Sequence, residues 1–244
     1  ISVAGITTDQ ATGDITINNG TGNITTSGVI STAGLNADID IDTVTSGNIT
    51  LGGNISTTGG GSILLGADTI SSASGAGNLT INGTVSTTGT TVSGDIAIAT
   101  GGTGTVTVNK AVSTGAATTA GDIVLVAVGS QTNAINVSKD ATISSADGVE
   151  FNTAGANNTI SLASGANVTA AGAVIDTGTG NLNLGANITT TTGSIIFDTV
   201  ATNLTGAVAL KAQGTGSDIN LASVNGAQNL TLEAIDQIIL TSAG

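Results

Sequence analysis

Short aliphatic segments return along this chain at a nearly fixed interval. Aligning one of them gives Ile24, Ile49, Leu79, Val106, Ile135, Ile160, Leu182, Val208 and Leu230, with gaps of 25, 30, 27, 29, 25, 22, 26 and 22 residues. A period of this size marks a repeat architecture, in which each unit buries its apolar face only by stacking on its neighbours. Two further apolar segments fall between successive copies, so each repeat has three beats.

The first beat is polar, aliphatic, any, aliphatic, as in Gly47-Asn48-Ile49-Thr50-Leu51 and Gly77-Asn78-Leu79-Thr80-Ile81. Alternation at period two is a strand with one buried face. The second beat is an aliphatic residue followed by Ser/Thr, as in Ile55-Ser56-Thr57 and Val85-Ser86-Thr87. The third alternates again: Ile39/Ile41, Ile63/Leu65, Ile96/Ile98, Ile123/Leu125, Val149/Phe151 and Ile195/Phe197. Around 173–176 the inward residue is Val174 or Ile175, and after Leu210 the second beat is missing or degenerate. The segment Ile238/Leu240 reads as a second beat.

Gly, Asn, Asp, Ser and Thr separate the beats. Glycine and asparagine accept the left-handed backbone angles that tight corners use. The chain has 37 Gly and no Pro, and proline would remove a ladder donor from a strand paired on both sides. The expected fold is all-β: a parallel β-helix, or β-solenoid, with three strands per coil, roughly 26 residues per coil and about nine to ten coils. Residues 1–244 read as one solenoid segment without a linker or composition shift. The chain contains no Met and opens at Ile1, so the expectation is a window of a longer repeat protein.

Composition narrows the function. Net charge is −13, with three Lys, no Arg and no His. Nucleic-acid binding needs cations against phosphate, so no nucleic-acid partner is expected. No 18-residue apolar run suggests a membrane span. Without His, Cys or Arg, the usual triads, thiol nucleophiles and imidazole metal sites are missing. Carboxylates remain, but the 16 acids are spread along the chain, so an enzyme is not expected. With two Phe and no Trp or Tyr, the side chains that favour binding hot spots are scarce.

Two local patterns are candidate sites. In Asp38-Ile39-Asp40-Ile41-Asp42, alternation puts Asp38, Asp40 and Asp42 on one face, about 6.5–7 Å apart along the strand. Hard oxygen ligands suit Ca²⁺; the competing reading is a solvated outer face, and otherwise no cofactor is expected. Twelve Asn-x-Ser/Thr sequons occur, Asn48, Asn54 and Asn78 among them. They read either as glycosylation acceptors or as corner asparagines that ladder from coil to coil. The Ser/Thr runs read as strand and turn chemistry, as O-glycan acceptors, or as a water-ordering array of the ice-binding kind, which needs Thr-x-Thr in register on one face.

The Gly-Asn-Ile-Thr-Leu and Gly-Asn-Leu-Thr-Ile units, the Ser-Thr-Thr-Gly corners and the lack of Cys resemble the β-helical shafts of filamentous-haemagglutinin-type exoproteins and large autotransporter adhesins. The resemblance covers the whole chain and lies in repeat grammar rather than a motif. It implies a right-handed β-helix at a bacterial cell surface, with a role in adhesion, aggregation or biofilm, and no catalytic residues. The expected function is therefore structural: shaft or filament material of an extracellular fibre, with self-association end to end or side by side. The alternatives are a module binding glycans or a host or sibling cell through the rod surface, an ice-binding solenoid, and an enzyme degrading acidic polysaccharides.

Overall fold

The computed structural model describes residues 1–10, 12–69, 72–73, 77–129, 133–155 and 157–241, of which 67–69 and 72–73 as backbone. The described residues form strands joined by corners, without a helix. Each coil contributes three parallel strands, and each strand pairs with its counterpart one coil on. Second-position strands make a 10-stranded sheet; first- and third-position strands are linked into an 18-stranded one. At about 4.8 Å per layer, ten layers give a rod about 45 Å long.

Register follows apolar identity. Ile49 sits opposite Leu79, and Leu79 opposite Val106. Ile55 faces Val85, and Val85 faces Val112. Ile96 lies between Ile63 and Ile123. These inward residues are fully buried or nearly so and form one continuous core along the rod. Fully burying such an aliphatic side chain contributes about 1.5–3 kcal/mol, and β-branched residues pack well on the pleat.

Three assignments made from alternation are corrected. Val208 and Leu230 are not first beats. Ile188 pairs with Leu210, and Val208 with Leu230, in the second-position sheet. The first position of those coils is held by Thr202, opposite Leu182, and then by Val224. Thr202 is a polar residue turned inward and fully buried, so the aliphatic signal fails there. The preceding corner is also hidden, because Ile195–Leu204 runs as one strand through the third and first positions. Thus the second beat near Leu210 is present. For the same reason Ile238 and Leu240, paired with Ile219 and Leu221, belong to the third position.

Val174 is the inward residue of its coil, Ile175 faces outward, and Asp176 turns back into the core. The third-position inward column thus reads Leu125, Phe151, Asp176, with Phe197 and Leu221 beyond.

Glycine at the stacked corners serves space more than backbone angle. A Cβ on Gly53 would lie 1.8 Å from the carbonyl oxygen of Gly28 below it, and one on Gly83 would lie 2.0 Å from that of Gly53. Neither corner needs a left-handed φ. Asn36 and Asn133, at φ 55 and 63, do take left-handed turns.

One insertion departs from the coil. Ala67–Thr69 and Ser72–Ala73 pair antiparallel, which accounts for the 30-residue gap before Leu79. This pair lies across Ile96–Thr100 and Ile123–Val128. Beneath it Ala97, Ala99, Val124 and Val126, facing away from the main core, form a second small buried cluster with Leu64 packed against it.

Candidate functional site

Side-chain ladders occupy the corners. Before the third strand, Asp14 Oδ1 accepts the Asp38 N–H at 2.9 Å, and Asp38 Oδ1 accepts that of Ser62 at 2.7 Å. Farther along, Asp95 Oδ1 accepts from Asp122 N at 2.9 Å, Asp122 Oδ1 from Gly148 N at 2.7 Å, and Asp218 Oδ1 from Gln237 N at 3.0 Å. Hydrogen bonds to ionised acceptors are stronger than neutral ones, so these carboxylates hold successive coils in register. The signal for this column is present in the sequence as Asp directly before the third-beat Ile: Asp14-Ile15, Asp38-Ile39, Asp95-Ile96, Asp122-Ile123 and Asp218-Ile219. Sequence reasoning passed over it by treating the acids as dispersed.

The three carboxylates considered for calcium have separate surroundings. Asp38 is exposed and engaged in the corner ladder. Asp40 is half-buried on the outer face, opposite Leu64. Asp42 is only 6% exposed. Among the described residues no group of three or more acidic, His or Cys side chains is placed to hold a metal ion.

Asn48, Asn54 and Asn78 stand exposed at the corner before a first or second strand, whereas Asn136 and Asn203 lie half-buried within strands. Asn48 Oδ1 accepts the Asn78 N–H at 2.8 Å, Asn78 Oδ1 that of Thr105 at 3.0 Å, and Asn54 Oδ1 that of Thr84 at 3.0 Å. The corner-ladder geometry is therefore present at Asn48, Asn54 and Asn78.

Second-strand threonines face the core. Thr57 and Thr87 are buried, and their hydroxyls donate to the carbonyls of Gly61 and Gly94, each at 2.6 Å; Thr114 donates to Gly121 at 2.8 Å. The residues between them face out and stack in register: Ser31, Ser56, Ser86, Ser113, Ser144, Thr169 and Thr189. The column ends in an ion pair between Lys211 and Glu233 at 3.1 Å.

An open concavity of about 270 Å³ lies on the outer face of the third-position strands, lined by Asp122, Val124, Asp147, Gly148, Val149, Glu150, Ala173 and Ile175. The Asp147 carboxyl is held above its ordinary range, first by desolvation and then by the negative charges of Asp122 and Asp95. Glu150 Oε1 is engaged, accepting from Thr177 Oγ1 at 2.6 Å and Asn152 Nδ2 at 3.3 Å.

Compared with family models, with curated proteins and with solved structures, the chain matches none of them.

Proposed function

We propose that this chain is a non-catalytic structural segment of an extracellular, cell-surface β-solenoid fibre. In this reading it is shaft material that holds a distal region away from the cell or packs into a sheath. One observation carries the reading: among the described residues one core and one pattern of parallel strand pairing run on from coil to coil. Backbone pairing, apolar stacking and side-chain capping all repeat along the same axis, so bending the rod strains all three together. The repeat grammar shared with haemagglutinin-type shafts supports the same reading. A net charge of −13 would keep neighbouring rods apart unless divalent cations bridge them.

The test is electron microscopy of the native parent material, with diffraction computed along the long axis. A continuous filament with a layer line near 4.8 Å is the expected result for building material. Short rods joined to other domains would make it a stalk. Particles without an axial β repeat would overturn both.

A second reading, a module that binds glycans or cells through the rod surface, draws on the outward hydroxyl column from Ser31 to Thr189. Its donors and acceptors are regularly spaced and uncharged over seven coils. Glycan-array binding that disappears in a Ser56→Asp, Ser86→Asp, Ser113→Asp triple variant would favour it over the structural reading.

A further inference from the structure

The inward column of the third-position strands is apolar at the neighbouring levels, with Leu125 and Phe151 on one side of Asp176 and Phe197 and Leu221 on the other. Asp176 is paired opposite Phe151. The register Val174 to Ile195 and Ile175 to Ile196, continued by one residue, sets it against Phe197. Both rings are fully buried, and Asp176 itself is 3% exposed. Its Oδ1 accepts the Gly178 N–H at 2.7 Å. Its Oδ2 is buried and has no hydrogen-bond partner among the described residues.

Among the described residues, the strands packed against this carboxylate carry no cation. Titratable groups on the strands packed against it are Glu150, on Val149–Ala154, and Asp198, on Ile195–Leu204, both acidic. Thr153 and Thr202, in the adjoining coils, also carry buried hydroxyl oxygens without a partner. Buried oxygens without a partner thus recur along this stretch of the rod, as one does at Thr26 near its start. An ionised carboxylate in such a place is costly unless it is paired.

We propose that Asp176 makes the coils around it a proton-sensitive weak point of the rod: with its carboxyl neutral they close on an intact core, and with it ionised they open locally. The inference goes beyond the structural role proposed above and holds whether or not the rod is a surface fibre. Burial pushes the Asp176 carboxyl up to about 6, the Gly178 N–H opposes this, and the charge of Glu150 adds to it. A folded-state value raised above the unfolded one gives stability that is fully present below about pH 4 and is lost as pH rises through about 6. Acid therefore tightens this segment and neutral pH loosens it, the reverse of an ordinary paired carboxylate.

The experiment compares the chain with Asp176→Asn, which keeps the shape and an acceptor for Gly178. Melting temperatures are recorded from pH 4.5 to 7.5. The expected result is that the two proteins differ least at pH 4.5 and that the variant's advantage is larger at pH 7.5 by about 5 °C or more. A gap that stays the same at both pH values, or a parent that is the more stable at pH 7.5, would overturn the proposal. Amide hydrogen exchange on the parent chain gives a second measurement that does not depend on the variant folding. After correction for intrinsic rates, protection at residues 174–178 and 195–197 should fall between pH 5 and 7.5 while that at Ile49–Leu51 holds. Uniform change along the rod would also overturn it.

Discussion

The side-chain oxygen of Asn48 accepts the backbone N–H of Asn78, thirty residues later in the chain and one coil along the rod, at 2.8 Å. Asn78 repeats the contact with Thr105. A corner cut off from strand pairing thus keeps its N–H groups satisfied by side chains from the coil before. In Asn48→Ala the Asn78 N–H loses that acceptor, at a cost of about 1 kcal/mol. Asn48→Asp retains an acceptor and should cost less. Chemical denaturation of both variants checks the order; equal losses would show that the oxygen is not what matters.

Removing an inward hydroxyl of the second strands should cost more than removing an outward one. Thr87 is fully buried and donates to the Gly94 carbonyl. Thr87→Val leaves that carbonyl short of a partner, at about 1–2 kcal/mol. Ser86, its neighbour on the outer column, is aligned with Ser56 and Ser113, and Ser86→Ala should stay within about 0.5 kcal/mol. Thermal melts of the two variants should separate clearly.

Gly53 and Gly20 make a second contrasting pair. A methyl group on Gly53 meets the Gly28 carbonyl oxygen at 1.8 Å, whereas one on Gly20 meets nothing within 4 Å. Gly53→Ala must push two stacked coils apart, and a loss of about 3 kcal/mol or more is expected. Gly20→Ala should be close to neutral. Comparable melting temperatures for the two variants would contradict the corner stacking described here.

Calcium should bind no differently to the parent and to Asp40→Asn. Asp38 is committed to the Ser62 N–H and Asp42 is nearly buried, so the three carboxylates offer no shared shell. Calorimetric titrations of the two proteins are expected to superimpose. An isotherm that weakens on substituting Asp40 would restore the metal reading of Asp38, Asp40 and Asp42.

Much of this architecture follows from residue order alone. Ile49, Leu79 and Val106, or Ile63, Ile96 and Ile123, announce buried faces because period-two alternation assigns each residue of a strand to one side. Glycine and asparagine between the runs mark the corners. The coil, the parallel stacking and the inward columns are all readable at that level for most of the rod.

Alternation gives the side a residue faces, not the sheet to which its strand belongs, and three points depended on that difference. Val208 and Leu230 have the pattern of a first beat but lie in the second-position sheet, since Thr202 takes the inward place in an uninterrupted strand. Asp176 is in the core because Val174, rather than Ile175, stacks on Val149. Ala97 and Val126 are buried on the outer face because a distant antiparallel pair folds over them. In each case the deciding contact is with a residue a coil away, so only the stacked chain, where those neighbours meet, settles which face is covered and which polar group is left inside.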